Sequence, residues 1–299
     1  MKFGVREICD VVFKAKAQVK IGGIEFKPGQ PVLYIDSAKA STIEGAASTV
    51  YATGGRGNNR LIAWEGEKTL TFTVEDALLS PMGFAILSGA GLLKGTSEET
   101  VHVHTTSMAY ASSGKIDLSD ALGTDQPDPD AKIYVIPVSG DGALNGAPVA
   151  GTWGADKKSI EAEIADGACF VDYYVVKTSD KVSELQIDAE NFAGYYYVEA
   201  STLFRRQDNG KDMPAEITFP NVKIQSNFTF NMASTGDPST FTFTMDAMPG
   251  YTYFNSTRKV LCAIQIIEDV DALGNEITSV FPVNEKDDFA DNDVDTDNQ

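Results

Sequence analysis

Histidine, cysteine and basic residues are scarce in this chain, and each shortage removes a class of function. His102 and His104 are the only histidines among 299 residues. A Ser-His-Asp or Cys-His arrangement would need one of them, and no nucleophile motif accompanies either. A His-x-His pair on a strand turns both rings to one face, which can suit a metal, but no Cys, Asp or Glu continues the pattern within that strand. Two partly exposed histidines, with no metal, no cofactor and no catalytic site, are the expectation. Cys9, Cys169 and Cys262 are odd in number, lie far apart and form no CxxC. They read as reduced, mostly buried thiols of a cytosolic setting. No stretch approaches the roughly 20 apolar residues that span a bilayer, and Met1–Glu7 lacks the apolar run of a signal peptide. A soluble chain that stays off membranes is expected.

Cations are outnumbered, 24 Lys and Arg against 43 Asp and Glu, for a formal charge of −19. The imbalance is uneven. Met1–Gly95 holds 11 basic and 9 acidic residues, whereas the remainder holds 13 and 34. Affinity for nucleic acid comes from Lys and Arg releasing counterions from phosphates, so a surface this acidic argues against holding DNA. It suits a surface that DNA passes without sticking, and equally a surface kept soluble by charge.

What the chain has in abundance is alternation. From Ile217 to Met245, Phe228, Phe230 and Met232 are separated by Thr229 and Asn231, and Phe241, Phe243 and Met245 by Thr242 and Thr244. A period of two implies strands with one face buried. Further strand signals, rich in Val, Ile, Thr and aromatics, fall at Val11–Phe13, Val19–Ile21, Val32–Ile35, Thr49–Tyr51, Leu61–Trp64, Leu70–Val74, Val101–Thr105, Ile133–Pro137, Phe170–Lys177 and Tyr195–Glu199. A last one, Val260–Ile267, would put Val260, Cys262, Ile264 and Ile266 on one face. One helix is expected, with Ser80 as N-cap, Pro81 at its first position and Gly89 as its stop; Met82, Ala85 and Ile86 share its apolar face.

Texture divides the chain into four. Residues 1–95 and 191–283 form the two parts of one β domain. Residues 96–190 form an inserted β-rich lobe, loop-like at Thr124–Asp130 and Ser139–Gly154, with 17 acidic residues against 6 Lys over Glu98–Glu190. Residues 284–299 form a tail with seven carboxylates and one Lys. Alone such a tail stays unfolded, and a neighbouring subunit is the expected surface to pin it. Two turns imitate ligand loops. Asp269-Val270-Asp271-Ala272-Leu273-Gly274 spaces oxygen ligands like part of a calcium loop but lacks the distal Glu. Gly54-Gly55-Arg56-Gly57-Asn58-Asn59 lacks the Lys-Ser/Thr pair and helix of a phosphate cradle and fits the tip of a long hairpin.

The succession Tyr51–Thr73, followed by Val74-Glu75-Asp76-Ala77-Leu78-Leu79-Ser80-Pro81 and a helix closing on Gly89-Ala90-Gly91-Leu92, resembles the major tail tube proteins of tailed bacteriophages. Asn191–Tyr196, Phe204–Asp212 and Gly236–Phe241 extend the likeness, which covers about Val11–Gly91 and Phe192–Asp269. The resemblance implies a mainly β fold, a tail-tube-type sandwich or barrel subunit with one flanking short helix and an inserted lobe. It implies six-fold rings stacked into a virion tail, assembled in the host cytoplasm around a channel through which DNA passes without specific binding. Its partners would be copies of itself, with sheath, tape-measure or baseplate proteins as further candidates. On this footing Thr229, Asn231, Thr242, Thr244 and Asp246 face the lumen. Phe228, Phe230, Phe241 and Phe243 pack beneath the helix with Met82 and Ile86. The hairpin tip, Gly54 to Arg60 with Arg56 and Arg60 as its cations, contacts the next ring. Two rivals are a calcium-dependent capsid or fibre decoration protein or adhesin, and a carbohydrate-active enzyme on a β scaffold.

Overall fold

The computed structural model describes residues 2–267 apart from 97–98, 180, 209, 231, 233 and 236–238. The acidic tail and the Asp269–Gly274 turn therefore lie outside the described residues. In chain order the elements are β1 (Phe3–Val5), β2 (Asp10–Ala15), β3 (Val19–Ile21), β4 (Ile24–Phe26), β5 (Pro31–Ile35), β6 (Ala38–Gly54), β7 (Asn59–Asp76) and α1 (Pro81–Ser88). Next come β8 (Gly91–Lys94), β9 (Val101–Ser112), β10 (Lys115–Asp117), α2 (Ser119–Leu122), β11 (Gln126–Pro127), β12 (Ile133–Pro137), β13 (Val149–Trp153), β14 (Ser159–Ala162), β15 (Gly167–Lys177) and β16 (Ser183–Gln186). The chain returns through β17 (Tyr195–Arg206), β18 (Asp212–Ile224), β19 (Phe241–Ala247), β20 (Gly250–Thr252), β21 (Asn255–Val260) and β22 (Ala263–Ile266).

Among the described residues these elements pack as two units, one from residues 2–19, 25–89 and 191–267, the other from Lys20–Ile24 and Ala90–Glu190. In the first, an antiparallel sheet runs β5-β2-β17-β18-β19-β7-β6, with β1 added to β17 and β22 to β18. Its apolar face supplies Phe13, Phe72, Phe219, Phe243 and Met245, all fully buried. Phe72 stacks on Phe219 at 4.7 Å between ring centroids, and Phe13 meets Phe243 at 5.8 Å. Burying each such side chain contributes about 2–3 kcal/mol. Helix α1 begins where the Ser80 hydroxyl accepts the Gly83 N–H at 2.9 Å and ends at Gly89, whose φ of 76° is left-handed. A Cβ at Gly89 would lie 2.3 Å from the Phe192 carbonyl carbon, so both backbone angle and close approach require glycine. The helix is buried on more sides than one apolar face provides: Phe84 and Leu87 are inside with Ala85 and Ile86, while Met82 is half-buried.

The second unit closes on itself. Strands run β9-β10-β14-β13-β12-β15, and β15 pairs back with β9 along its whole length, from Gly167 opposite Ala111 to Lys177 opposite Val101. The result is a six-stranded antiparallel barrel with no open edge among those strands. Its interior holds Ile116, Val135, Ile160, Cys169, Val171, Tyr173 and Val175, capped by Leu122 of α2. Gly151 lies inward, where a Cβ would come 2.7 Å from Ile160, which lets small and large residues alternate across the barrel. The Tyr173 hydroxyl shares a 3.0 Å hydrogen bond with Ser107, and Trp153 Nε1 donates to the Asp128 carbonyl at 3.2 Å, so both buried polar tips are satisfied. A ribbon of β8 and β16 carries the chain into and out of the lobe, with Lys94 opposite Ser183.

Three strand expectations need correction. Leu61–Trp64 and Leu70–Val74 are parts of one strand of 18 residues, β7. Val260–Ile267 is broken at Leu261 and Cys262 between β21 and β22, and Ile264 is exposed. Residues 225–230 are not a strand. β18 stops pairing with β19 after Ile224, and the chain turns aside to place Phe228 and Phe230 against Phe84 of α1, at 4.9 and 5.1 Å. Aromatic packing outweighs continued ladder bonds there.

Candidate functional site

The face of the first unit's sheet opposite the phenylalanines is built in rows. Register sets Thr242 opposite Glu75, Thr244 opposite Thr73 and Asp246 opposite Thr71. Across β7, Thr73 meets Thr42 and Thr71 meets Glu44. Thr71 donates to Asp246 at 3.4 Å, and Gln225 donates to the same carboxylate at 3.0 Å. Because side chains alternate, every residue in these rows points away from Phe72, Phe243 and Met245. Thr242, Thr244 and Asp246 thus share one hydroxyl- and carboxylate-rich surface. Thr229 sits on the strand-free segment and does not join the rows; Asn231 lies outside the described residues.

The polar surface continues over β17 and β18 as a cluster that sequence reasoning missed. Lys14 ion-pairs with Glu199, and its ammonium lies 5.9 and 5.6 Å from the rings of Tyr197 and Tyr253, which stack on each other at 4.1 Å. Glu216 stands diagonal to Glu199, since Glu199 pairs with Thr218. Burial, and secondarily the Glu199 charge, push the Glu216 carboxyl up to about 7 against the pull of Lys14. The sheet face offers no unpaired ammonium at these positions: Lys223, opposite Asp246, hydrogen-bonds the Ala193 carbonyl and lies 5.1 Å from the Tyr195 ring. The signal for β7 was present in Thr69-Leu70-Thr71-Phe72-Thr73-Val74, which repeats the rhythm of β19; the carboxylate pair had no sequence signal.

β6 and β7 extend as a two-stranded ribbon in which Thr42–Tyr51 and Gly55–Thr69 are exposed. Val50 pairs with Trp64 and Ala52 with Ile62, putting apolar groups on one face. Val50 is 64% exposed and Leu61 65%. Such a ribbon is marginally stable alone in water. At its tip the strands run into Gly54 and Asn59, leaving Gly55-Arg56-Gly57-Asn58 as the turn. Gly55 and Gly57 have φ of 76° and 92°, and Asn58 N–H donates to the Gly55 carbonyl at 3.2 Å. The Arg60 guanidinium lies 4.1 Å from the Tyr51 ring centroid, and Arg56 is exposed.

Beneath the helix, Phe243 and Ile86 are buried, Phe228, Phe241 and Met82 are half-buried, and Phe230 is 42% exposed but touches Phe84 and Phe241. Phe84 joins these rings and was not among the expected residues. His102 pairs with Asp128 at 2.5 Å and His104 with Asp172 at 2.7 Å, two separate contacts on the barrel. Among the described residues no three His, Cys, Asp or Glu side chains gather as metal ligands. Cys9, Cys169 and Cys262 are free thiols. No helix among the described residues is long and apolar enough to cross a membrane. A family model described as the YomU/Tube protein family matches residues 20–258. No curated protein matches the chain.

Proposed function

This chain belongs to the YomU/Tube protein family, and from that membership we propose that it is a non-enzymatic tail tube subunit whose copies form stacked rings, six to a ring, around the path of ejected DNA. The observation that carries the reading is the one-sided sheet. Its apolar face is filled by phenylalanine, while its other face presents Thr42, Thr71, Thr73, Thr242 and Thr244 with Glu44, Glu75 and Asp246. Hydroxyls bring no positive charge to attract phosphates, and carboxylates repel a polyanion at close range. Lys14 and Lys223 are engaged by Glu199 and the Ala193 carbonyl, so neither of these two stands free to hold a phosphate. As a lumen lining it is smooth to a phosphate backbone.

The β6–β7 arm is the contact to another copy. Its exposed Val50, Leu61, Ile62 and Trp64 gain burial only against a partner, and its Arg56 and Arg60 suit the acidic surface that dominates the rest of the chain. Contact of one end with a different end stacks heterologously and does not close, so it yields a tube. Sheath, tape-measure or baseplate proteins would meet the finished tube in the virion tail. Negative-stain microscopy of the purified protein is expected to show hollow tubes. The double variant Arg56→Glu, Arg60→Glu is expected to retain its circular dichroism spectrum and melting temperature but give rings or short stubs. Normal-length tubes from the variant would remove the arm's role, and discrete monomers from the wild type at every concentration would remove the tube reading.

A further inference from the structure

Outward side chains of the six-stranded barrel divide sharply. On β10, β13 and β14 they are Lys115, Asp117, Ala150, Thr152 and Glu161, small or charged as a solvated surface requires. On β9, β15 and β12 they form an aromatic face. Register fixes its rows: Tyr174 beside His104, then Tyr134, Asp172 and Thr106, then Ile136, Phe170 and Met108, then Ala168 beside Tyr110. Tyr110 is 66% exposed and Met108 62%, and Tyr134 and Tyr174 are exposed as well. Four rows at two residues each span roughly 20 Å along the strands. Polar groups are set into the middle of this face, because His104 Nε2 and the Asp172 carboxylate pair at 2.7 Å and the His104 ring contacts Tyr174 at 5.2 Å.

We propose that this barrel face binds an uncharged oligosaccharide. Exposed aromatic rings on the sheet face of a small barrel suit two kinds of chain, oligonucleotides and oligosaccharides. Charge decides between them. With 17 carboxylates against 6 Lys over Glu98–Glu190, the lobe repels a phosphate backbone, and no lysine or arginine stands in the aromatic rows to neutralise one. The same repulsion disfavours a second copy of the lobe as occupant, since two surfaces of this sign would face each other. A neutral sugar chain meets neither obstacle. Its apolar ring faces stack on tyrosine, and its hydroxyls can donate to the Asp172 carboxylate. Tyrosine, rather than leucine or isoleucine, gives wide contact area with little conformational entropy to lose. This inference stands on the lobe alone and does not depend on tube assembly.

Isothermal titration of the full-length protein with cellohexaose, maltohexaose and chitohexaose tests it. At least one is expected to bind. Tyr134→Ala with Tyr174→Ala is expected to weaken that binding at least tenfold, Tyr134→Phe with Tyr174→Phe to preserve it, and Lys115→Ala with Thr152→Ala, on the opposite barrel wall, to leave it unchanged. Both tyrosines are outward and exposed, and an unchanged melting temperature identifies folded variants. No binding to any of the three sugars, binding indifferent to the tyrosine pair, tighter binding of oligothymidylate, or a tyrosine-dependent self-association seen by sedimentation would each overturn it.

Discussion

A carboxylate half-buried beside another carboxylate keeps its proton to unusually high pH, and Glu216 is such a group. Its folded value of about 7 lies above the ordinary 4.5 because burial, and then Glu199, disfavour its charge. A raised folded value means that the native state binds the proton more tightly than the unfolded chain does. The associated stability is therefore complete below about pH 4.5 and is lost as pH rises toward 7. At full burial that loss would be about 3 kcal/mol, and partial solvation of the site reduces it to about 1–2 kcal/mol. Glu216→Gln removes the titration while keeping the shape. The variant is expected to melt with the wild type at pH 4.5 and to gain several degrees over it by pH 7, with a constant margin above. Parallel melting curves from pH 4.5 to 8 would show that Glu216 is solvated after all. Removing Lys14 acts in the opposite sense, since of the two neighbouring charges Lys14 favours ionised Glu216 and Glu199 opposes it, and its loss also removes the ion pair to Glu199.

Both ends of helix α1 carry a contact that a single substitution removes. Ser80→Ala deletes the hydroxyl that accepts the Gly83 N–H and is expected to lower stability by about 1 kcal/mol. Gly89→Ala is expected to cost more than about 2 kcal/mol, because the left-handed φ and the 2.3 Å approach to Phe192 act together. Urea melts of the two variants would test that order, and equal losses would contradict it. Those ends were legible in the sequence, for Ser-Pro and Gly state the cap chemistry locally. β19 was legible for a similar reason: its period of two survives into a ladder that buries Phe243 and Met245. The same period at Phe228-Thr229-Phe230 misled, since any extended segment alternates, and only the position of Phe84 decides that these rings leave the sheet. Barrel closure was equally hidden. Pairing of β15 with β9 joins residues more than 50 positions apart, such as Gly167 and Ala111, and no local pattern specifies such a register. Glu216 shows the same limit at a site, because its partners Lys14 and Glu199 come from two other strands.

Charge and connectivity meet at the scale of the whole chain. The lobe hangs on the β8–β16 ribbon, in which Lys94 and Ser183 are direct cross-strand partners, so residues 95–182 can be replaced by an Asn-Gly turn that joins the two strands as a hairpin. Leu92 of that ribbon keeps its contact with the Gly22 turn, where a Cβ would come 2.9 Å from the leucine. The excision removes 14 carboxylates and 6 Lys and moves the formal charge from −19 to −11. If the wall of the tube is the sheet of the first unit, the shortened chain still holds every row from Thr42 to Asp246 and the whole β6–β7 arm, and it is expected to form hollow tubes. With less self-repulsion between copies, assembly should begin at lower ionic strength than for the full chain, which light scattering across a salt series would measure. A folded, monomeric product that fails to polymerise at any salt concentration would instead make the barrel part of the wall. In that case the acidity of the lobe would belong to the contacts between copies and not to its own surface.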